Sequence, residues 1–386
     1  MALRAFIADA IVVAGGPREG ALLTENGRVT AVAPVSEVPS YAEKIRLPSL
    51  TLAPGLVDLQ VNGGGGALFN QDTSPEGLRI IRDAHRAMGT TALLPTLISE
   101  GTEKIPEAFQ AVRAWHEKEK DTGILGIHLE GPFLNPERKG VHEAEALRLD
   151  PSETLRELDF SGFGKILITL APELVDEREL KKLSSHGVIL SAGHSQADQA
   201  ALNKAKAAGL RGITHLFNAM GPLQAREPGL AGLALNDDDL WCSIICDGAH
   251  VWHAMIRLAL KAKPEGKLFF VSDAMPPAGQ KDPQPFTLYG KKITVKNGRC
   301  LTEAGGLAGS ALTLFECVQK AVREVGIPLP QALAMASFYP AQFLGVEKEY
   351  GSFAPGSHAD IIALDKDLNL KGVWVGGMNL ETKIVL

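Results

Sequence analysis

The sequence predicts an α/β protein: a (β/α)8 TIM-type barrel with a small β-sandwich domain built from both termini. Three observations point there. Eight short apolar runs between residues 56 and 271 alternate with helix-type segments, the pattern of a parallel sheet. Both ends of the chain read as β-structure instead. Four of the apolar runs end in residues able to bind a metal or move a proton, and a parallel barrel places its active site at those strand ends. The expected boundaries are residues 1–52 and 346–386 for the terminal domain and 53–345 for a metal-dependent catalytic barrel. A chain of 386 residues exceeds one compact core, and 45% hydrophobic residues suffice to fill a large interior.

In chain order, Leu3–Val13 and Gly20–Ala33 are strand-like, and Asn26-Gly27 is a hairpin-turn signal. The eight barrel strands are expected at Leu56–Val61, Ala92–Thr96, Ile124–Leu129, Ile166–Leu170, Val188–Ala192, Gly212–Leu216, Trp241–Cys246 and Leu268–Val271. Helices are expected at Pro75–Met88, Glu103–Lys120, Glu177–His186, Gln196–Ala208 and His253–Ala262. A hairpin over Phe286–Leu301, turning at Asn297-Gly298, reads as an insertion after the eighth strand. Two closing helices, about Ala311–Val325 and Pro330–Leu344, precede the strands of Gly351–Leu364 and Leu370–Val375.

The bulk chemistry excludes some classes of function. A net charge of −6, from 39 basic and 45 acidic residues, disfavours non-specific nucleic-acid binding, which needs a basic surface. It leaves room for an anionic small molecule in a locally basic pocket. The four cysteines (Cys242, Cys246, Cys300 and Cys317) form no CxxC pair and fit a reducing cytoplasm. Cys242 and Cys246 lie in the apolar run WCSIICDG and read as core. Asp9 interrupts the N-terminal apolar stretch, so no secretory signal is read there, and no run is long enough to span a membrane. The expectation is a soluble cytoplasmic protein.

The informative polar residues are Glu130 at the end of strand three (GIHLEGP), His194 after strand five (LSAGHS), His215 after strand six (GITHLFNAM) and Asp273 after strand eight (FFVSDAM). Two imidazoles and one carboxylate are a common ligand set for a catalytic divalent metal, with a position left for water. Such a metal brings the pKa of that water toward neutrality, and Asp273 could take its proton. A strand-end histidine taken singly is more often a hydrogen-bonded structural residue; it is the convergence of four such residues that favours chemistry. His128 shares a strand face with Glu130 and reads as a partner of the site rather than a ligand. His85, His116, His186 and His253 fall on helices, as surface or packing residues. The run Gly63–Gly66 lacks the lysine of a P-loop and reads as a turn.

Beyond these positions, PGLVDLQVNG, HLEGPFLNPERKGVH, SAGHS, THLFNAM, REPG, CDGAHV, SDAMPPAG, LAGSALT and GSFAPGSHADIIALD cover essentially the whole chain. In these motifs the chain resembles the N-acetylglucosamine-6-phosphate deacetylase family of the amidohydrolase superfamily. The resemblance implies hydrolysis of N-acetylglucosamine 6-phosphate to glucosamine 6-phosphate and acetate, in amino-sugar catabolism and cell-wall sugar recycling. It assigns Glu130, His194 and His215 to one divalent metal, with Zn first among Zn, Fe, Mn and Co. Asp273 becomes the general base and acid, and His142 a contact to the sugar or the acetyl carbonyl. Asn218, the backbone at Ala219, Arg226 and His250 are assigned to the sugar phosphate, and Leu307 to the acetyl end. It also implies a homodimer in which Arg226 can act across the interface.

One departure bears on the metal count. The superfamily usually carries His-x-His after strand one, whereas this chain has Gln60-Val61-Asn62. Neutral amides are poor ligands for a zinc-class ion, which favours a single metal. The same departure, with Glu130 in HLEGP, weighs against a dihydroorotase-like or dipeptidase-like enzyme. A barrel that had lost its chemistry would lose the ligands or the strand-eight aspartate, and all four are present.

Overall fold

The structure, a computed structural model, describes residues 3–118, 123–148, 151–155 and 159–380. They fall into two compact units, one within residues 59–84 and 93–313 and the other within residues 3–58, 85–92 and 314–380.

The eight expected barrel strands are present: β1 (Leu56–Val61), β2 (Thr90–Ile98), β3 (Gly126–Glu130), β4 (Lys165–Leu170), β5 (Ile189–Ala192), β6 (Leu210–Ile213), β7 (Trp241–Ile244) and β8 (Leu268–Phe270). They stand in sequence order in one sheet. Each pair from β2 to β8 is parallel. The ring is drawn nearly shut between its first and last strands, where Val61 bridges Ala274 in parallel. The N–H groups of Asn62 and Gly63 both donate to the Ala274 carbonyl at 2.9 Å. These strands are apolar runs rather than alternating ones because both faces are covered: every residue of β1, β2, β3 and β5 is buried. Gly126 starts β3 at φ +151°, and a Cβ there would lie 1.8 Å from the Lys165 carbonyl oxygen, so only glycine admits this closeness of β3 and β4.

Helices follow at Pro75–Ala87, Lys104–Lys118, Glu177–Ser185, Gln199–Ala207 and His253–Ala262. The last two residues of the expected Glu103–Lys120 helix lie outside the described residues. Asp176 and Asp198 cap two of the helices by accepting from the N–H groups of Arg178 and Ala201. A helix at Gly229–Asn236 has no counterpart in the sequence reading. The expected hairpin after β8 is a four-stranded sheet of Phe286–Leu288, Lys291–Lys296, Arg299–Leu301 and Leu307–Ser310. Its central turn is as expected, with Asn297 and Gly298 both left-handed at φ 52° and 72°.

In the other unit, residues from both termini join one seven-stranded sheet. Its strands are Arg4–Val13, Gly16–Glu25, Arg28–Ala33, Glu43–Pro54, Ile361–Leu364, Leu370–Val375 and Met378–Asn379. Apolar clusters around Phe6, Leu22 and Trp374, and around Ala5, Ala21 and Leu23, use alternate residues of the same strands. The second closing helix is broken into Leu329–Ala336 and Phe338–Leu344. Ser337 between them has φ −136° and ψ −72°. Its hydroxyl donates to the Leu333 carbonyl at 2.7 Å, a side-chain bond that competes with continued helix.

Candidate metal and acid–base site

Glu130 is the last residue of β3. His194 and His215 each stand two residues beyond β5 and β6, and Asp273 stands three beyond β8. His194, His215 and Asp273 have left-handed φ values of 50°, 36° and 50°, an uncommon conformation for residues other than glycine. The strands therefore leave their pleat where these side chains enter the mouth. With Asn62, His142, Asn218, Ala219, His250, Met275 and Leu307 they line one cavity of about 170 Å³.

The Glu130 Oε1 atom lies 3.1 Å from His194 Nε2 and 2.8 Å from His215 Nε2, and the two ring nitrogens are 3.0 Å apart. All three side chains are buried. The chemistry of this trio fits a cation. His194 Nδ1 lies 2.8 Å from the Arg138 carbonyl, which can only accept, so Nδ1 carries a proton and Nε2 is the nitrogen turned to the site, a donor to Glu130 when the ring is charged and a lone pair for a cation when it is neutral. A lone pair 3.1 Å from a carboxylate oxygen is repulsive unless positive charge lies between them. Burial alone would raise the Glu130 carboxyl, but the His194 and His215 imidazoles outweigh it and hold the group well below the carboxylate range. For His215, burial works downward and the Glu130 carboxylate prevails, raising the imidazole.

Asp273 meets different neighbours. Its Oδ1 accepts from Asn62 Nδ2 at 2.7 Å and from Gln60 Nε2 at 3.2 Å. The amides that replace His-x-His thus tether this carboxylate. Burial and the nearby Glu130 charge push Asp273 up to about 6. His142 is buried, and its Nδ1 accepts the Ser99 N–H at 3.2 Å. Burial and the neighbouring His194 lower this imidazole to about 3, so it is neutral. His250 Nδ1 donates to Asp247 Oδ2 at 2.7 Å, while Asp247 Oδ1 caps the N–H groups of Ala249 and His250 at 2.8 Å each.

His128 takes the expected supporting place. Its ring nitrogens contact the hydroxyls of Thr96 at 3.2 Å and Thr169 at 2.8 Å. Thr169, Thr214 and Ser191 continue this hydroxyl layer at 2.7 Å steps. Cys242 and Cys246 are wholly buried, as expected. Arg226 stands apart: it lies in the exposed stretch 222–228 and is not among the residues lining the cavity. Sequence reasoning missed Ser99 and Asp247. Ser99 directly follows β2, so the strand-end rule that found Glu130 could have found it.

The Amidohydrolase family model matches residues 51–380. An N-acetylgalactosamine-6-phosphate deacetylase of Shewanella sp. (strain ANA-3) is 41% identical over 334 residues, 86% of this chain and 84% of the relative. An N-acetylglucosamine-6-phosphate deacetylase of Haemophilus influenzae is 34% identical over 362 residues, 93% of this chain and 94% of the relative. The crystal structure of N-acetylglucosamine-6-phosphate deacetylase from Pasteurella multocida superposes with a TM-score of 0.93 at 37% identity, covering 98% of this chain and 99% of that one. On this match, and with a barrel and strand-end residues in keeping with it, the chain belongs to the amidohydrolase family, among relatives named as amino-sugar-phosphate deacetylases.

Proposed function

We propose that this enzyme hydrolyses the acetamide of N-acetylglucosamine 6-phosphate, releasing acetate and glucosamine 6-phosphate, in cytoplasmic amino-sugar catabolism and cell-wall sugar recycling. The observation that carries the reading is the convergence of Glu130, His194 and His215 with Asp273 and His142 in one cavity. Glu130, His194 and His215 would hold one divalent cation, Zn first among the ions such a set accepts. When bound, that cation supplies Lewis acidity and a water of lowered pKa.

The remaining steps belong to the chain's own side chains. His142 donates from Nε2 to the acetyl oxygen and stabilises the charge that develops there. Asp273 takes the proton of the attacking water and returns it to the leaving nitrogen, because an amine departs readily only when protonated. Gln60 and Asn62 occupy Oδ1 of Asp273, which leaves Oδ2 for that proton. Leu307 packs against the acetyl methyl. Asn218, the backbone at Ala219 and His250 hold the phosphate, with His250 kept in register by Asp247. Arg226 completes the phosphate site from the partner subunit of a homodimer, consistent with its exposed place. Residues 53–345 serve as the catalytic segment, and the segments on either side of it as a small β-domain.

The 41% identical relative is named for the C4 epimer, so N-acetylgalactosamine 6-phosphate is a second candidate substrate. The test is acetate release across both epimers, each with and without its phosphate. Turnover of a phosphorylated N-acetylhexosamine, lost when the phosphate is removed, supports the reading. Turnover of none of the four refutes it.

A further inference from the structure

We infer that Ser99 and Tyr289 are positioning residues that fix the His142 ring with its lone pair on Nδ1 and its proton on Nε2. This rests on the reading that His142 meets the acetyl oxygen. A neutral imidazole can aid that oxygen only by donating; with the tautomer reversed, it would present a lone pair to an oxygen gaining negative charge.

The tautomer follows from hydrogen-bond donors that cannot change sign. The Ser99 backbone N–H donates to His142 Nδ1 at 3.2 Å. The Ser99 hydroxyl reaches the same nitrogen at 2.8 Å. Its other acceptor, the Glu130 carbonyl, is farther away at 3.4 Å, so the hydroxyl proton goes to the ring. A nitrogen receiving an obligatory N–H donor holds no proton of its own. The ring is buried, which leaves no water to reverse this choice cheaply.

Tyr289 fixes Ser99 in turn. Its hydroxyl donates to the Ser99 carbonyl at 2.5 Å, across 190 residues of sequence. Tyr289 belongs to the turn between the first two strands of the insertion, at φ 50°, and packs on the apolar cluster that includes Ile98 and Met275. Lys139 Nζ holds the His142 carbonyl at 2.9 Å, so the backbone at this residue is anchored as well. The insertion sheet therefore grips the residue whose N–H and hydroxyl orient the His142 ring.

The test uses Ser99→Ala, Ser99→Thr and Tyr289→Phe in the full-length, metal-loaded enzyme. Ser99→Ala and Tyr289→Phe should each lower kcat by about tenfold with little change in KM, the usual scale for a supporting hydrogen bond. Ser99→Thr, which keeps the hydroxyl, should restore it. Nitrogen-15 NMR of histidine-labelled protein, with His142→Ala identifying the signal, should show the Nε2–H tautomer in the parent and, because the backbone N–H remains, in Ser99→Ala as well, with the Nδ1 resonance shifted by loss of the hydroxyl bond. In the His142→Ala background, Ser99→Ala should cost nothing further. An Nδ1–H tautomer in the parent would overturn the inference. So would an equal loss from Ser99→Ala with and without His142, or unchanged kcat and Nδ1 resonance in both variants. If His142→Ala itself left kcat intact while the NMR result held, the proposed role of His142 would fail and the positioning would stand. Should Ser99→Ala not fold, Tyr289→Phe carries the same comparison.

Discussion

Replacing Asp273 with asparagine isolates the proton shuttle from everything else this residue does. The side chains are nearly the same size, and an amide oxygen can still accept the Asn62 and Gln60 bonds that reach Oδ1 at 2.7 and 3.2 Å. The geometry at the end of β8 should therefore persist. Removing the charge also removes the repulsion with Glu130 that helps push Asp273 up to about 6, so the variant should melt no lower than the parent. What is lost is a basic oxygen. Positioned acid–base groups contribute about 10²–10⁴ in rate, or about 3–5.5 kcal/mol of barrier, and here one group serves both proton transfers. The assay measures metal content, substrate affinity, melting temperature and kcat on one preparation. Retained metal and affinity with kcat lowered at least a hundredfold is the expected result. An emptied metal site would mean that Asp273 is a ligand; kcat within about tenfold of the parent would mean that it carries no proton.

The metal, phosphate and pH behaviour can be tested beside it. Elemental analysis should find one tightly bound divalent metal per chain, because Gln60 and Asn62 are engaged with Asp273; two full-occupancy metals, both required for activity, would contradict this. Arg226→Ala should weaken use of the phosphorylated sugar by about 2–4 kcal/mol and spare the unphosphorylated analogue, and equal losses on both would make Arg226 structural. If it acts across a dimer interface, mixing Arg226→Ala with Asp273→Asn chains should restore part of the activity. Asp273 works as a base only when ionised, so kcat/KM should fall as pH drops through about 6 or somewhat lower, since a nearby cation favours the carboxylate. An acid limb well above that range, or one that persists in Asp273→Asn, would assign it to another group.

Much of this was legible in the sequence because the barrel obeys simple physics. Strands covered on both faces are continuous apolar runs, and β1 and the helix His253–Ala262 fall on the expected residues. Glu130, His194, His215 and Asp273 could be found because a barrel fixes which end of a strand is functional. The apolar pattern runs through the break at Ser337, but the sequence carries its signal in Pro340, which has no N–H for the Ala336 carbonyl and whose ring clashes with a helix continued through that turn. The fourth insertion strand, Leu307–Ser310, was hidden by its glycine and small residues, which carry no alternation. Contacts such as Tyr289 to Ser99 join distant parts of the chain, and no local pattern announces them.

The left-handed backbone beneath His194, His215 and Asp273 bears on what these positions serve. Each such position costs on the order of 1–3 kcal/mol, held in place by the surrounding barrel. Glycine adopts the same angles without penalty. Glycine at these positions would relieve that strain, but it would also leave cavities and, at Asp273, remove the acceptor of the buried Gln60 and Asn62 amides. Two imidazoles and a carboxylate on strained backbone are then placed for chemistry rather than for folding.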